Sequence, residues 1–153
     1  MKRVLRYLAG TSDYGILLRR GSSLSLHAYS DADWAGDSDD LVSTNGYIVY
    51  LGKHPISWSS KKKKTVARSS TEAEYRSVAN TTSEINWISS LLQELGIKLP
   101  TAPVIYRDNV DATYLCANPI FHSRMKHVAL DYHYIRQQVQ AGVLRVVHVS
   151  TKD

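Results

Sequence analysis

The chain of 153 residues contains one cysteine, one phenylalanine, two methionines and four prolines. A lone Cys116 excludes an internal disulfide framework and suits a reducing compartment. Set in "ATYLCANP", it reads as a buried inert thiol rather than a nucleophile. No apolar run approaches the length of a membrane span. The opening "MKRVLRYLAGTSDYG" lacks the apolar core and small-residue cleavage site of a secretion signal. Internal repeats are missing, and the only low-complexity stretch is a run of four lysines. Acids are scarce too: 14 stand against 19 Lys and Arg, a net charge of +5 that favours a polyanionic partner.

What is present fits a single soluble domain, with 43% hydrophobic and 22% charged residues and a length suited to one core. The few acids are unevenly spread. Asp31, Asp33, Asp37, Asp39 and Asp40 crowd into "SDADWAGDSDD", directly after the alternating run "LSLHAY". Carboxylates this close repel each other unless a cation, a proton or water compensates them. Lys61 to Lys64 with Arg68 form the opposing basic block; by itself such a run reads as a solvated loop or an edge strand protected from aggregation.

Hydrophobic periodicity divides the chain into elements. Residues 2–9 predict a short helix, and Tyr14–Leu18 and Leu24–Tyr29 predict two strands joined by the hairpin-like "RRGSS". Gly46–Leu51 reads as a third strand, and Pro55–Ser59 leads out of it. From Thr71 to about Leu95 the period changes to 3.6, with Gly96 placed to end a long helix. Val104–Tyr106 is a short strand stopping at Asp108, and Asn109–Cys116 reads as a helix. A further helix spans Asp131–Ala141, with Asp131 as N-cap and Gly142 at its end, before a last strand, Val143–Val149. This order predicts a mixed α/β domain with an antiparallel start and a parallel continuation.

Three acids then sit on separate elements: Asp31 after a strand, Glu74 in the first turn of the long helix, Asp108 after another strand. In an open α/β sheet, the carboxyl ends of neighbouring parallel strands face one crevice. If strands 24–30 and 104–107 are such neighbours, the acids converge, and three carboxylates suit a hard divalent cation. Each acid also has an ordinary reading. Thr71 to Glu74 matches a capping box, Asp108 can cap the next helix, and Asp37, Asp39 and Asp40 suit a polar turn. A "DAD" after a strand also resembles the metal-holding DxD of nucleotide-sugar enzymes, but no Gly-rich nucleotide site accompanies it.

Three stretches carry a more specific resemblance. "KRVLRYLAGTSDYGILL" is followed by "YSDADWAGDSDDLVSTNGYIVYLGKHPISWSSKKKKTVARSSTEAEYRSVANTTSEINWI" and by "YRDNVDATYLCANPIFHSRMKHVALDYHYIRQQVQAGVLRVVHVSTKD". Together they resemble the RNase H domain of copia-type LTR retrotransposon Pol polyproteins, those of plants especially. The resemblance implies an RNase H-like α/β fold: a five-stranded mixed sheet, strands 1–3 antiparallel, with helices on both faces. Residues 1–20 would be the connection from reverse transcriptase, and residues 21–153 the RNase H-like domain, truncated at its C-terminus. The implied activity is endonucleolytic hydrolysis of the RNA strand of RNA/DNA hybrids with two Mg²⁺ ions, for which Mn²⁺ can substitute. The implied setting is reverse transcription beside the polymerase domain of the same polyprotein, in a cytoplasmic virus-like particle with nuclear presence left open, without secretion or a membrane partner.

Residue by residue, the resemblance places Asp31, Glu74 and Asp108 as catalytic metal ligands. Glu72 competes with Glu74, which is preferred because the apolar Tyr75 follows it; Asp33 is a lesser candidate that can instead order the turn. The family's fourth acid is expected a few residues beyond Asp153, so this chain would hold three of four. Ser69, Ser70, Thr71 and Asn109 would meet the sugar edge of the hybrid, and Lys62 and Lys63, within the basic block, its phosphates. Ser69, Ser70 and Thr71 serve equally as helix caps. Trp34 and Trp58 read as core aromatics, His148 as a candidate proton shuttle, and His127 and His133 as surface or packing residues. The rival reading is a catalytically inactive retrotransposon-derived fragment that at most binds nucleic acid.

Overall fold

The computed structural model describes residues 2–36, 41–63, 66–108 and 129–150. Its elements are α1 (Lys2–Gly10), β1 (Leu26–Asp33), β2 (Thr44–Leu51), β3 (His54–Lys62), α2 (Ser70–Glu94), β4 (Val104–Arg107), α3 (Ala129–Gln140) and β5 (Arg145–His148). The strands form one sheet in the order β3-β2-β1-β4-β5. The pairs β1–β2 and β2–β3 are antiparallel, whereas β1–β4 and β4–β5 are parallel. The expected five-stranded mixed sheet is therefore present, with its first three strands antiparallel.

Strand parity decides which side chains are buried. On β1, Leu26, Ala28, Ser30 and Ala32 turn inward, and on β2 Asn45 and Val49 do the same. Against them α2 lays Tyr75, Val78, Ile85, Ile88 and Leu92, and Ile105, Ile135 and Leu144 close the same core. Burial of these large apolar side chains, each worth roughly 1.5–3 kcal/mol, is what holds α2 on the sheet. α3 then packs on α2, with Tyr75 and Tyr132 stacked at 6.0 Å and Asn86 donating to the Tyr134 hydroxyl at 2.8 Å. The opposite parity carries an aromatic ladder, in which His27 stacks on Tyr50 and Tyr29 on Tyr106, both at 5.3 Å.

Several boundaries differ from the sequence reading. Residues 14–18 form no strand; Tyr14 is 80% exposed, and Leu17 and Leu18 are exposed as well. The reason is topological, because β1 already has β2 on one edge and β4 on the other. The third antiparallel strand is instead β3, which extends the expected exit from Pro55 to the lysine run. α1 forms as expected but buries none of its residues. α3 begins before Asp131, which lies in its first turn rather than at its cap. Gly96 and Gly142 do end α2 and α3, at φ of +75° and +68°. At Gly96 the left-handed turn lets Ile97 N–H reach Leu92 C=O at 2.8 Å, closing the helix without a Cβ penalty. The helix expected over 109–116, with Asn109 and Cys116, lies outside the described residues, as do Asp37, Asp39, Asp40, Lys64, His127 and Asp153.

Candidate metal centre at the end of two parallel strands

The register of β1 and β4 sets Tyr29 opposite Tyr106, so Asp31 and Asp108, each two residues further, lie level at the same end of the sheet. Asp31 faces Gly46 across the β1–β2 pair, so the position directly opposite it carries no side chain. Both acids are exposed.

Glu74 arrives from α2, and small residues let it come close. Ala32, Ala67 and Ala73 form a separate buried cluster where the start of α2 meets the end of β1. The Trp34 indole N–H donates to the Ala67 carbonyl at 2.9 Å and holds the segment leading into the helix. One turn beyond Glu74, Ser77 Oγ donates to the Asp31 carbonyl at 2.8 Å, and Ser30 Oγ lies 3.0 Å from Ser77 Oγ and 3.1 Å from Thr81 Oγ1. This buried hydroxyl cluster fixes the height and rotation of α2 against β1.

The cap of α2 separates the two glutamates. Its N-cap is Ser69, whose Oγ accepts from Glu72 N–H at 3.1 Å, while Glu72 Oε2 accepts from Arg68 N–H at 2.9 Å. The capping pair is thus Ser69 with Glu72, two residues earlier than Thr71–Glu74, with the Glu72 carboxylate reaching back to the residue before the N-cap, and Glu74 falls in the second turn. Glu72 Oε1 is also paired with Arg76 at 2.8 Å. Capping therefore accounts for Glu72 and leaves Glu74 for the crevice.

One carboxylate oxygen each from Asp31, Glu74 and Asp108 lie within 4.8 Å of one another. Three hard oxygen donors from three elements at that separation match a divalent cation such as Mg²⁺ or Mn²⁺. Glu74 is the buried member, at 6% exposure. Burial pushes its carboxyl up to about 7; Arg107 and a backbone hydrogen bond from Ala32 pull it down, and Asp31 and Asp108 push it up. Arg107 Nη2 donates to Glu74 Oε2 at 2.9 Å. Asp31 and Asp108 also border a groove of about 410 Å³ that takes in Tyr29, Ile48, Tyr106 and Ser150.

The other sequence-predicted residues are dispersed around this centre. Ser69 is committed to the cap, Ser70 is exposed, and Thr71 is half-buried beside it. Lys62 pairs with Thr44, which pairs with Asp33, so Lys62 sits at the acidic end of the sheet two strands away, roughly 10 Å. Lys63 follows it, half-buried, its ammonium held below the usual range by burial first and by Arg76 second. Asp33 lies outside the three-acid group, and its carboxylate lies over Gly36, where a Cβ would collide with it. His148 Nε2 lies 2.9 Å from the Asp108 carbonyl. Trp58 is 62% exposed and Trp34 is partly exposed, so neither is a core aromatic. Sequence reasoning missed Ser30, Ser77, Thr81 and Arg107. The helix spacing 74-77-81 and the inward parity of residues 30 and 107 were the available signals.

No protein-family model matches the chain. It is 79% identical over all of its 153 residues to the retrovirus-related Pol polyprotein from transposon RE2 of Arabidopsis thaliana, of which it covers 10%. It is 41% identical, again over its whole length, to that from transposon TNT 1-94 of Nicotiana tabacum, of which it covers 11%. Among solved structures, LC11-RNase H1, isolated from compost, superposes with a TM-score of 0.64 at 12% identity over 84% of this chain and 86% of that one. The same enzyme in complex with an RNA/DNA hybrid gives 0.62 at 10% identity, over 84% and 87%. Over its whole length the chain is thus similar to a segment of retrovirus-related Pol polyproteins of transposons, spanning 10–11% of their length, and it has the fold of the solved RNase H structures.

Proposed function

We propose that the chain is the ribonuclease H domain of a retrotransposon Pol polyprotein, cutting the RNA strand of RNA/DNA hybrids made during reverse transcription. The observation that carries this reading is the meeting of Asp31, Glu74 and Asp108 at the end of two parallel strands. The hybrid held by one structural neighbour supports the substrate class. Bound Mg²⁺ or Mn²⁺ would supply Lewis acidity toward the scissile phosphate and its attacking water. Asp31, level with Asp108 and opposite Gly46, would hold the ions from the open side, and Glu74 from beneath. Exposed Ser70 and half-buried Thr71, with Asn109, would meet the sugar edge. Lys62 and Lys63 would take phosphates at the same end of the sheet without reading sequence. Residues 1–20 would connect to the polymerase domain, which agrees with an α1 that buries nothing in the core. The setting would be the cytoplasmic particle of the element.

The test is cleavage of a labelled RNA/DNA hybrid in Mg²⁺ and in Mn²⁺. Asp31→Asn is expected to lower the rate by at least about a hundredfold, the scale on which loss of one electrostatic group acts in other active sites, while hybrid affinity is kept. Cleavage by Asp31→Asn at the rate of the unaltered chain would refute the assignment.

A further inference from the structure

Arg107 stands where strand parity calls for an apolar side chain. Residues 105 and 107 of β4 turn toward α2; Ile105 joins the core, while Arg107 is only 2% exposed. A guanidinium is rarely taken so far from water without a partner that compensates it. Its partner here is Glu74, at 2.9 Å, and the next residue along the strand is Asp108. Two of the three acids are thus tied to this one arginine, Asp108 by the chain and Glu74 through Oε2.

This arrangement has two opposing effects on a cation. A fixed donor aims the Glu74 carboxylate and partly offsets the effect of its burial, which assists binding. It also occupies one of the two carboxylate oxygens and places a permanent positive charge beside the ligand set, which opposes the approach of any dication in a poorly screened setting. Being covalently part of the chain, this cation cannot be diluted away. We propose that Arg107 is a resident counter-cation that competes with divalent ions for Glu74 and so sets the ion affinity of the centre. The inference rests on the three-acid reading above. It gives the centre a device for staying compensated when no ion is bound, and a reason to respond only to high concentrations of Mg²⁺ or Mn²⁺.

The experiment is calorimetric titration of Mn²⁺ into the full chain at pH 8, without nucleic acid, for the unaltered protein and for Arg107→Met, Arg107→Gln and Arg107→Lys. Methionine removes the charge and suits the buried site, glutamine keeps a donor to Glu74 without charge, and lysine keeps the charge. Arg107→Met and Arg107→Gln are expected to bind Mn²⁺ at least about tenfold more tightly, with Arg107→Lys close to the unaltered chain. Unchanged or weaker binding in both neutral variants would overturn the proposal and leave Arg107 as a positioning residue for Glu74. If neither the unaltered chain nor any variant binds Mn²⁺, or if Asp31→Asn binds it as the unaltered chain does, the three-acid reading itself fails. Should Arg107→Met not fold, Arg107→Gln against Arg107→Lys still separates charge from shape.

Discussion

Among the described residues, Glu74 is the one whose carboxyl is pushed furthest from its ordinary value. In an unfolded chain a glutamate ionises near pH 4.3, whereas burial lifts this carboxyl to about 7. Between those values the folded chain keeps a proton that the unfolded chain has lost. Stability without metal should therefore fall as pH rises through that window and level off above it, by on the order of 2–3 kcal/mol. Urea denaturation in chelator at pH 5 and at pH 8 measures this, and Glu74→Gln, permanently neutral, should lack that component of the fall. An identical pH dependence in the two proteins would mean that the buried carboxyl ionises alike in both states. The same residue shows the limit of reading by spacing. Thr71-x-x-Glu74 looks like a capping box, and only the position of Ser69 at the true N-cap reveals that Glu72 does that work.

At the scale of elements, α2 must sit at one height against β1 for Glu74 to meet Asp31 and Asp108. Hydrophobic burial supplies adhesion but little directional preference, since an apolar stripe tolerates some sliding. The Ser30–Ser77–Thr81 cluster and its bond to the Asp31 carbonyl supply the direction. Ser77→Ala should cost about 1–3 kcal/mol, because it leaves buried hydroxyl and carbonyl groups short of a partner. Ser83→Ala is the control: that hydroxyl bonds only the Ala79 carbonyl of its own helix, and the change should stay within about 0.5 kcal/mol. Equal losses in thermal or chemical denaturation would remove the cluster from this role. The element that sequence reasoning placed wrongly, the strand at 14–18, shows the complementary point. Alternation of apolar residues shows only that a segment can pair; whether it does depends on a vacant strand edge, and β1 has none.

Over the whole molecule, the excess of basic residues is set against a local concentration of acid. Lys62 ends β3, and Lys63 follows it, at the end of the sheet where Asp31 and Asp108 lie. A duplex laid across that end would meet cations along its backbone and carboxylates at one phosphate. Replacing Lys62 and Lys63 together by Gln should weaken hybrid binding with little regard to sequence. It should also lower the slope of log affinity against log salt by about one to two, read from fluorescence anisotropy across a salt series. A slope unchanged by the double substitution would place the phosphate contacts elsewhere.

The sequence by itself determined the class of fold and most of the elements, because periodicity and helix-ending glycines are local signals carried by neighbouring residues, whereas Asp31, Glu74 and Asp108 were singled out by resemblance rather than by spacing. Only the tertiary structure decided which glutamate faces the crevice, which segment becomes the third antiparallel strand, and that a buried arginine shares the acidic centre. Those outcomes depend on strand order, on one helix's height against the sheet, and on the cost of leaving charge uncompensated away from water. Such quantities arise between residues dozens of positions apart, as between Arg107 and Glu74, and come into being only when the chain closes on itself.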